Sequence, residues 1–213
     1  LISGAYTCQA SMASDQAIEN LKDALRRLPG VGPRTAGRMA FHLLERDREG
    51  GKVIAEALNA AISSVNHCAR CNNFSEEEFC GICSSGKRDR SILCVVETPA
   101  DLDTIEQAGA YTGYYFVLMG HLSPLDGVGP EQLGFDRLLG VVTKDDVTEV
   151  ILGTNLTVEG QATADYLYDL LEDKPVKISR LARGVPAGGE LEYMDANTLN
   201  QAFADRRMLG EKS

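Results

Sequence analysis

Two cysteine pairs in the middle of the chain, Cys68-x-x-Cys71 and Cys80-x-x-Cys83, constrain the fold of this sequence more than any other feature. A Cys-x-x-Cys pair in a tight turn directs two thiolates at one ion, and two such pairs complete a tetrahedral shell. Because four sulfur ligands leave no position for water, the pattern predicts one structural zinc and no catalytic one. The acidic segment between the pairs is too short and hydrophilic to form a core, so metal binding must supply its folding free energy.

Two redox motifs or a pair of disulfides would also place cysteines in pairs. A redox motif stands alone after a strand, whereas two pairs this close, with Gly81 in a knuckle-like turn, favour a zinc finger over residues 67–84. The other cysteines, Cys8 and Cys94, occur in contexts that suggest no pairing, which favours a reducing compartment. No apolar run approaches the roughly 20 residues that span a bilayer. We therefore expect a cytoplasmic protein with no membrane contact.

The charge of the chain limits how it could bind nucleic acid. A net charge of −10 over 213 residues argues against a uniformly positive surface, so any DNA contact must be local. Basic residues do concentrate in the N-terminal part: Lys22, Arg26, Arg27, Arg34, Arg38, Arg46 and Arg48. Acidic residues interleave with them, and the charge run alone is more typical of a solvated helix face.

The N-terminal pattern predicts a helix-hairpin-helix over residues 15–66, after a disordered leader at 1–14. Apolar residues from Ile18 onward recur at helical spacing until Pro29. Gly30 and Gly32 then allow a tight hairpin, and Pro33 suits the first turn of the next helix. A further helix is expected from Val53 to about residue 65, after a break at the two glycines 50 and 51.

A hairpin of this kind places glycine amides and a helix N-terminus at one point, where a phosphate can bind. Arg34 and Arg38 lie one turn apart on the same helix face, and Lys22 and Arg27 add nearby positive charge. We therefore expect contacts from these four residues, with the amides of the two hairpin glycines, to the DNA backbone, independent of base sequence. An ordinary helical hairpin with glycine in its turn is the alternative.

The second half of the chain alternates apolar strands with amphipathic helices, which predicts an α/β domain with a parallel sheet over residues 90–182. Its first strand, 92–96, is a continuous apolar run, as expected for a strand buried on both faces. Glu97 follows directly, at the strand end where open α/β sheets place their sites. The later strands are expected at 114–119, 149–153 and 176–181. The helices are expected at 100–108, shortly after 134 and at 159–171.

Glu97, together with the later loop 153–160 (GTNLTVEG), resembles the Toprim domain of topoisomerases, primases and related nucleases. Toprim enzymes follow one strand with a glutamate and a later one with Asp-x-Asp, and these carboxylates hold magnesium for phosphoryl transfer. Asn155 and Thr157 stand at the Asp-x-Asp positions here, and neither is negatively charged. The resemblance implies a retained fold and a lost catalytic site. The alternative is a magnesium-dependent nuclease or primase that uses Glu97, Asp101, Asp103 and Glu159.

The order of modules from about Met12 onward resembles the bacterial recombination mediator family RecR. The supporting motifs, besides the cysteines, are LPGVGP (28–33), CVVE (94–97), GHLSPLDGVGP (120–130), the 153–160 loop and GVPAGGELEYMD (184–195). Leu156 stands where the family pattern has proline, and Arg183 where it has histidine.

The resemblance implies a non-enzymatic DNA-repair factor that acts with RecO and RecF to load RecA at single-stranded gaps. It further implies a ring-like tetramer, in which several hairpins would add their weak DNA contacts through effective concentration. Residues 183–213 would form an oligomerisation region containing a glycine-rich turn, a strand and a helix. The segment lacks the Gly-x4-Gly-Lys-Ser/Thr phosphate loop, so we expect no ATP hydrolysis. Glu97, Asn155 and Glu159 would face RecO.

Overall fold

The computed structural model describes residues 12–182 and 184–206, which form two compact units divided after Ser64. The first unit contains the predicted helix-hairpin-helix. The second contains the cysteine pairs, the α/β domain and the C-terminal region. No helix in the described part of the chain is long and apolar enough to cross a membrane.

The first unit consists of three helices: α1 (Met12–Leu25), α2 (Pro33–Glu45) and α3 (Arg48–Ser64). Helix α1 begins at Met12, so the last three residues of the predicted leader are helical, and the remainder of that leader lies outside the described residues. Helix α2 packs on both neighbouring helices and buries Ala36 and Ala40. The hairpin predicted between α1 and α2 is confirmed.

The predicted break at Gly50 and Gly51 was wrong, because both glycines lie inside α3. The carboxylate of Asp47 accepts a hydrogen bond from the backbone N–H of Gly50 at 2.8 Å, as a helix N-cap does. This cap begins the helix five residues before the predicted start at Val53.

The second unit opens with a short antiparallel hairpin, β1 (Asn66–His67) and β2 (Phe74–Ser75), which carries the first cysteine pair in its turn. A parallel sheet follows, with β3 (Asp89–Val96), β4 (Gly113–Val117), β5 (Glu149–Leu152) and β6 (Lys177–Arg180) in the order β4-β3-β5-β6. The predicted α/β architecture is confirmed.

Helices cover both faces of this sheet, as the apolar run in β3 predicted. One face of β3 contributes Leu93 and Val95 to a core closed by α5 (Phe135–Lys144) and α6 (Val158–Leu171). The opposite face contributes Cys94 and Val96 to a smaller core beneath α4 (Pro99–Ala108). The alternation follows from the two-residue period of a strand.

The C-terminal region consists of a 3-10 turn, Leu191–Tyr193, and helix α7 (Ala196–Ala204). The strand predicted before this helix does not form within residues 184–206. Pro186 lacks an N–H donor, and Gly188 adopts φ +82°, which is incompatible with an extended strand. Arg183 lies outside the described residues.

Candidate functional site

The four predicted metal ligands come together in the structure. The sulfur atoms of Cys68, Cys71, Cys80 and Cys83 all lie within 4.8 Å of one another, and those of Cys71 and Cys80 are 3.5 Å apart. Ligands about 2.3 Å from one central ion would have similar mutual separations, so the set fits a tetrahedral zinc. The described residues contain no disulfide, and the first three cysteines are buried.

The electrostatics of the cluster also favour a cation. Hydrogen bonding from Cys71 and Cys83 lowers the pKa of Cys80 to about 2, whereas the contact with Cys80 raises the pKa of Cys71 to about 12. Hydrogen bonding with Cys71 and Cys80 raises the pKa of Cys83. One thiolate therefore forms at the expense of the others, and only a bound metal ion makes four thiolates stable side by side. The zinc is structural, since the protein fills all four positions.

The residues of the predicted phosphate site lie at the hairpin between α1 and α2, on the surface of the first unit. Gly30 adopts φ +76°, a left-handed conformation that favours glycine, and Gly32 is the N-cap of α2. The first turn of α2 begins with Pro33 and contains no acidic residue. Arg34 and Arg38 are both exposed, one turn apart. The hairpin therefore brings two cations to a helix N-terminus that has no side-chain cap.

Arg27 and Lys22, the other two predicted DNA contacts, differ in whether their side chains already have partners among the described residues. Arg27 is exposed in the turn after α1. Lys22 forms an ion pair with Glu19 at 2.7 Å, and its Nζ lies 5.0 Å from the ring centroid of Phe41. Lys22 thus already joins α1 to α2, which the sequence did not predict.

The two units differ strongly in charge. Residues 1–64 contain eight Lys and Arg against seven Asp and Glu, whereas residues 65–213 contain thirteen against twenty-four. The excess negative charge of the chain is therefore confined to the second unit. A local DNA contact in the first unit is compatible with an acidic protein.

The predicted Toprim residues converge at the C-terminal edge of the sheet, and Glu97 lies beneath the surface with 2% exposure. Its Oε1 accepts a hydrogen bond from the backbone N–H of Asn155 at 2.8 Å, and its Oε2 accepts one from Asn155 Nδ2 at 2.9 Å. His121 Nδ1 lies 3.3 Å from Oε2. Glu97, which we expected to face RecO, is instead buried and enclosed by these groups.

The other Asp-x-Asp position, Thr157, is the N-cap of α6 and accepts a hydrogen bond from the N–H of Gly160 at 3.0 Å. Glu159 follows in the first turn and is half-buried, whereas Asn155 is exposed. Asn155 and Thr157, at the positions of the magnesium ligands in Toprim enzymes, thus form internal hydrogen bonds in this chain. Among the residues that the structure describes, these side chains form no cluster of carboxylates that could hold magnesium.

Three residues at these sites were missed by sequence reasoning. Asn72 and Arg137 connect the zinc module to the sheet, and His121 approaches Glu97. Asn72 adopts a left-handed backbone, φ +63°, and the local signal for this turn was the asparagine itself, which tolerates that conformation better than most residues. Contacts that span many residues, as between Arg137 and Asn72, leave no mark in a sequence pattern.

Comparison with known families assigns this combination of hairpin, zinc module and Toprim-like sheet to the recombination mediator class of DNA-repair proteins. Residues 18–62 match the RecR helix-hairpin-helix, 65–85 the RecR four-cysteine zinc finger domain, 91–182 the Toprim domain and 184–207 the RecR C-terminal region. The four matches follow one another along the chain without overlap. The protein belongs to the RecR family, whose members have a mediator role in recombinational DNA repair.

Proposed function

We propose that this chain is a non-enzymatic DNA-binding mediator that acts in the cytoplasm with RecO and RecF to load RecA at single-stranded gaps. The observation that carries this proposal is the N-terminus of α2, flanked by the exposed Arg34 and Arg38 in a RecR-family chain. Backbone amides and arginines at such a site select phosphates and not bases. A mediator that must act at any gap needs this sequence-independent binding.

The sheet edge supports the partner part of the proposal. The second unit carries a large excess of negative charge, and Glu159 lies in the first turn of α6, beside the exposed Asn155. An ordered carboxylate on an acidic surface can form charge-assisted hydrogen bonds with a basic protein such as RecO. Glu97, being buried, has an indirect role in this contact.

Exposed apolar residues in both units support assembly into a tetramer. Those of α3 are Val53, Ile54, Leu58 and Ile62, and those of the C-terminal region are Leu191, Tyr193 and Phe203. Large exposed apolar side chains in clusters are typical of surfaces that a partner covers. A ring built from two such surfaces would present several hairpins to one DNA molecule and strengthen its binding by effective concentration.

Titration of the purified chain with RecO, followed by native mass spectrometry, tests this function. Glu159→Lys should weaken the complex at least tenfold at physiological salt, because it reverses the charge at the proposed contact. Glu172→Lys reverses an exposed charge at the other end of α6 and should leave RecO binding unchanged. Equal affinity of the wild type and Glu159→Lys would remove the sheet edge from the proposal, and a monomeric mass would remove the tetramer.

A further inference from the structure

Glu97 occupies the position of a Toprim metal ligand, but its carboxylate already has internal partners. Both oxygens are used, since the backbone N–H and the side-chain amide of Asn155 each donate to a different one. A carboxylate that is 2% exposed is stable only when such donors satisfy it. Binding magnesium here would require these hydrogen bonds to break.

The identity of residue 155 makes this arrangement possible. An asparagine amide donates a hydrogen bond to Glu97, whereas an aspartate at the same place would set two negative charges side by side. Toprim enzymes resolve that repulsion with a metal ion. The present chain replaces the cation with an N–H donor.

The first turn of α6 packs directly on the same carboxylate. A side chain at Gly160 would place its Cβ 2.6 Å from Glu97 Oε1, so this approach requires glycine. The N-terminus of a helix carries partial positive charge, which favours a buried anion beside it. Because Glu159 is the neighbour of Gly160, its backbone position depends on this packing.

A second loop is held at the same point. The N–H of Gly120 donates to the backbone carbonyl of Glu97 at 2.9 Å, and His121 approaches its side chain at 3.3 Å. Two residues further on, the N–H of Leu122 donates to Oγ1 of Thr163 in α6, at 2.9 Å. Loops 119–123 and 153–160 are thereby joined through Glu97 and α6.

We propose that Glu97 is a positioning residue for partner binding. Its buried carboxylate holds loops 119–123 and 153–160 in one arrangement and so fixes the direction of Glu159. The inference rests on the proposed docking of a basic partner at this edge. It adds the residue that sets the geometry of the docking site, and it explains why a glutamate remains where the metal site is lost.

A donor–acceptor exchange tests the proposal. Asn155→Asp opposes two carboxylates and should raise amide hydrogen exchange in residues 120–123 and 155–160 at least tenfold, with a comparable loss of RecO affinity. Glu97→Ala should act similarly by leaving buried donors unsatisfied. Glu97→Gln should stay near wild type, because the Asn155 amide can rotate to accept from it.

The double variant Glu97→Gln/Asn155→Asp is the decisive measurement. The introduced glutamine can accept from the backbone N–H of residue 155 and donate to the new aspartate, so exchange rates and RecO affinity should return to near wild type. The double variant keeps the wild-type net charge, and Glu131→Gln, an exposed change in the same unit, controls for the one negative charge that Glu97→Gln removes by itself. A double variant as impaired as Asn155→Asp, or an Asn155→Asp protein with wild-type exchange, would overturn the proposal.

Magnesium chloride supplies an independent readout by thermal melting. Magnesium should raise the melting temperature of Asn155→Asp, because the ion bridges the two carboxylates. Any effect of magnesium on the melting temperature of the wild type should be the same in Glu97→Gln. A stabilisation of the wild type that disappears in Glu97→Gln would identify Glu97 as a metal ligand and overturn the proposal. If the wild type fails to bind RecO, the proposed function fails, and hydrogen exchange still decides whether Glu97 holds the loops.

Discussion

The side-chain amide of Asn72 donates a hydrogen bond to the backbone carbonyl of Val117 at 2.7 Å, which fastens the zinc module to the sheet. The N–H of Val117 donates in return to the carbonyl of Cys71 at 2.8 Å, so the cysteine turn continues the hydrogen bonding of edge strand β4. Arg137 of α5 donates to Asn72 and, at 3.0 Å, to the carbonyl of Cys68. The zinc ligands and the Toprim core therefore share one junction.

Loss of zinc should lower the stability of the second unit beyond the cysteine turns. Cys68→Ser or Cys83→Ser opens the sulfur shell, and the free energy of metal binding no longer stabilises the junction with β4. Metal analysis should find no zinc in these variants, and calorimetry should show a lower melting temperature for the second unit. A chelator that removes zinc from the wild type without changing its melting would contradict this prediction.

The junction itself can be tested with the zinc ligands intact. Asn72→Gly tolerates the positive φ and removes only the side-chain hydrogen bonds, so we expect a loss of about 1–3 kcal/mol with zinc retained. Asn72→Ala should be worse by about 1 kcal/mol, because alanine is strained in the left-handed conformation. Asn73→Ala, which loses a local bond to Phe74, is the neighbouring control. Urea denaturation measures all three, and equal stability of the Gly variant and the wild type would refute the junction.

Charge reversal at the hairpin should abolish DNA binding without unfolding the first unit. Arg34→Glu/Arg38→Glu places negative charge at the N-terminus of α2, where phosphates are expected, and both side chains are exposed. The loss should be equal for DNA of different sequence, measured by fluorescence anisotropy at low salt. Arg46→Glu/Lys52→Glu makes the same charge change away from the hairpin and should retain most of the affinity. Retained binding by the first variant would move the DNA site elsewhere.

A polar network beside α4 should make stability depend on pH. The hydrogen bond from Arg88 lowers the pKa of Glu106, and Tyr115 also donates to this carboxylate, at 2.6 Å. A lowered folded-state pKa adds stability above the ordinary carboxyl pKa, and this stability is lost as the pH falls through the folded value.

Glu106→Gln should therefore cost about 1–2 kcal/mol near neutral pH, and less in acid, where wild-type Glu106 is protonated. Urea denaturation at a neutral and an acidic pH measures the difference. Glu172→Gln, an exposed change, should cost little at either pH. A cost for Glu106→Gln that stays constant with pH would contradict the role of the ionised carboxylate.

The sequence by itself determined the features that arise from residues close together in the chain. Cysteine spacing identified the ligands of the zinc, the Gly-Val-Gly-Pro turn identified the hairpin, and alternating apolar runs identified the parallel sheet. These are local patterns, because turn geometry and the periods of helix and strand repeat within a few residues. Even here Asp47 changed the outcome, since a side-chain cap outweighed the cost of two glycines in α3.

Only the tertiary structure decided what surrounds each functional group. Glu97 and Asn155 are 58 residues apart, and whether the carboxylate faces solvent, a metal ion or an amide depends on how strands β3 and β5 pair. Asn72 and Arg137 are 65 residues apart, and their contact exists because α5 packs on the sheet face that includes residues of β4, the edge strand that the zinc module extends. Donors and acceptors distant in sequence meet only after the core has formed, and burial then fixes which partners each one must have.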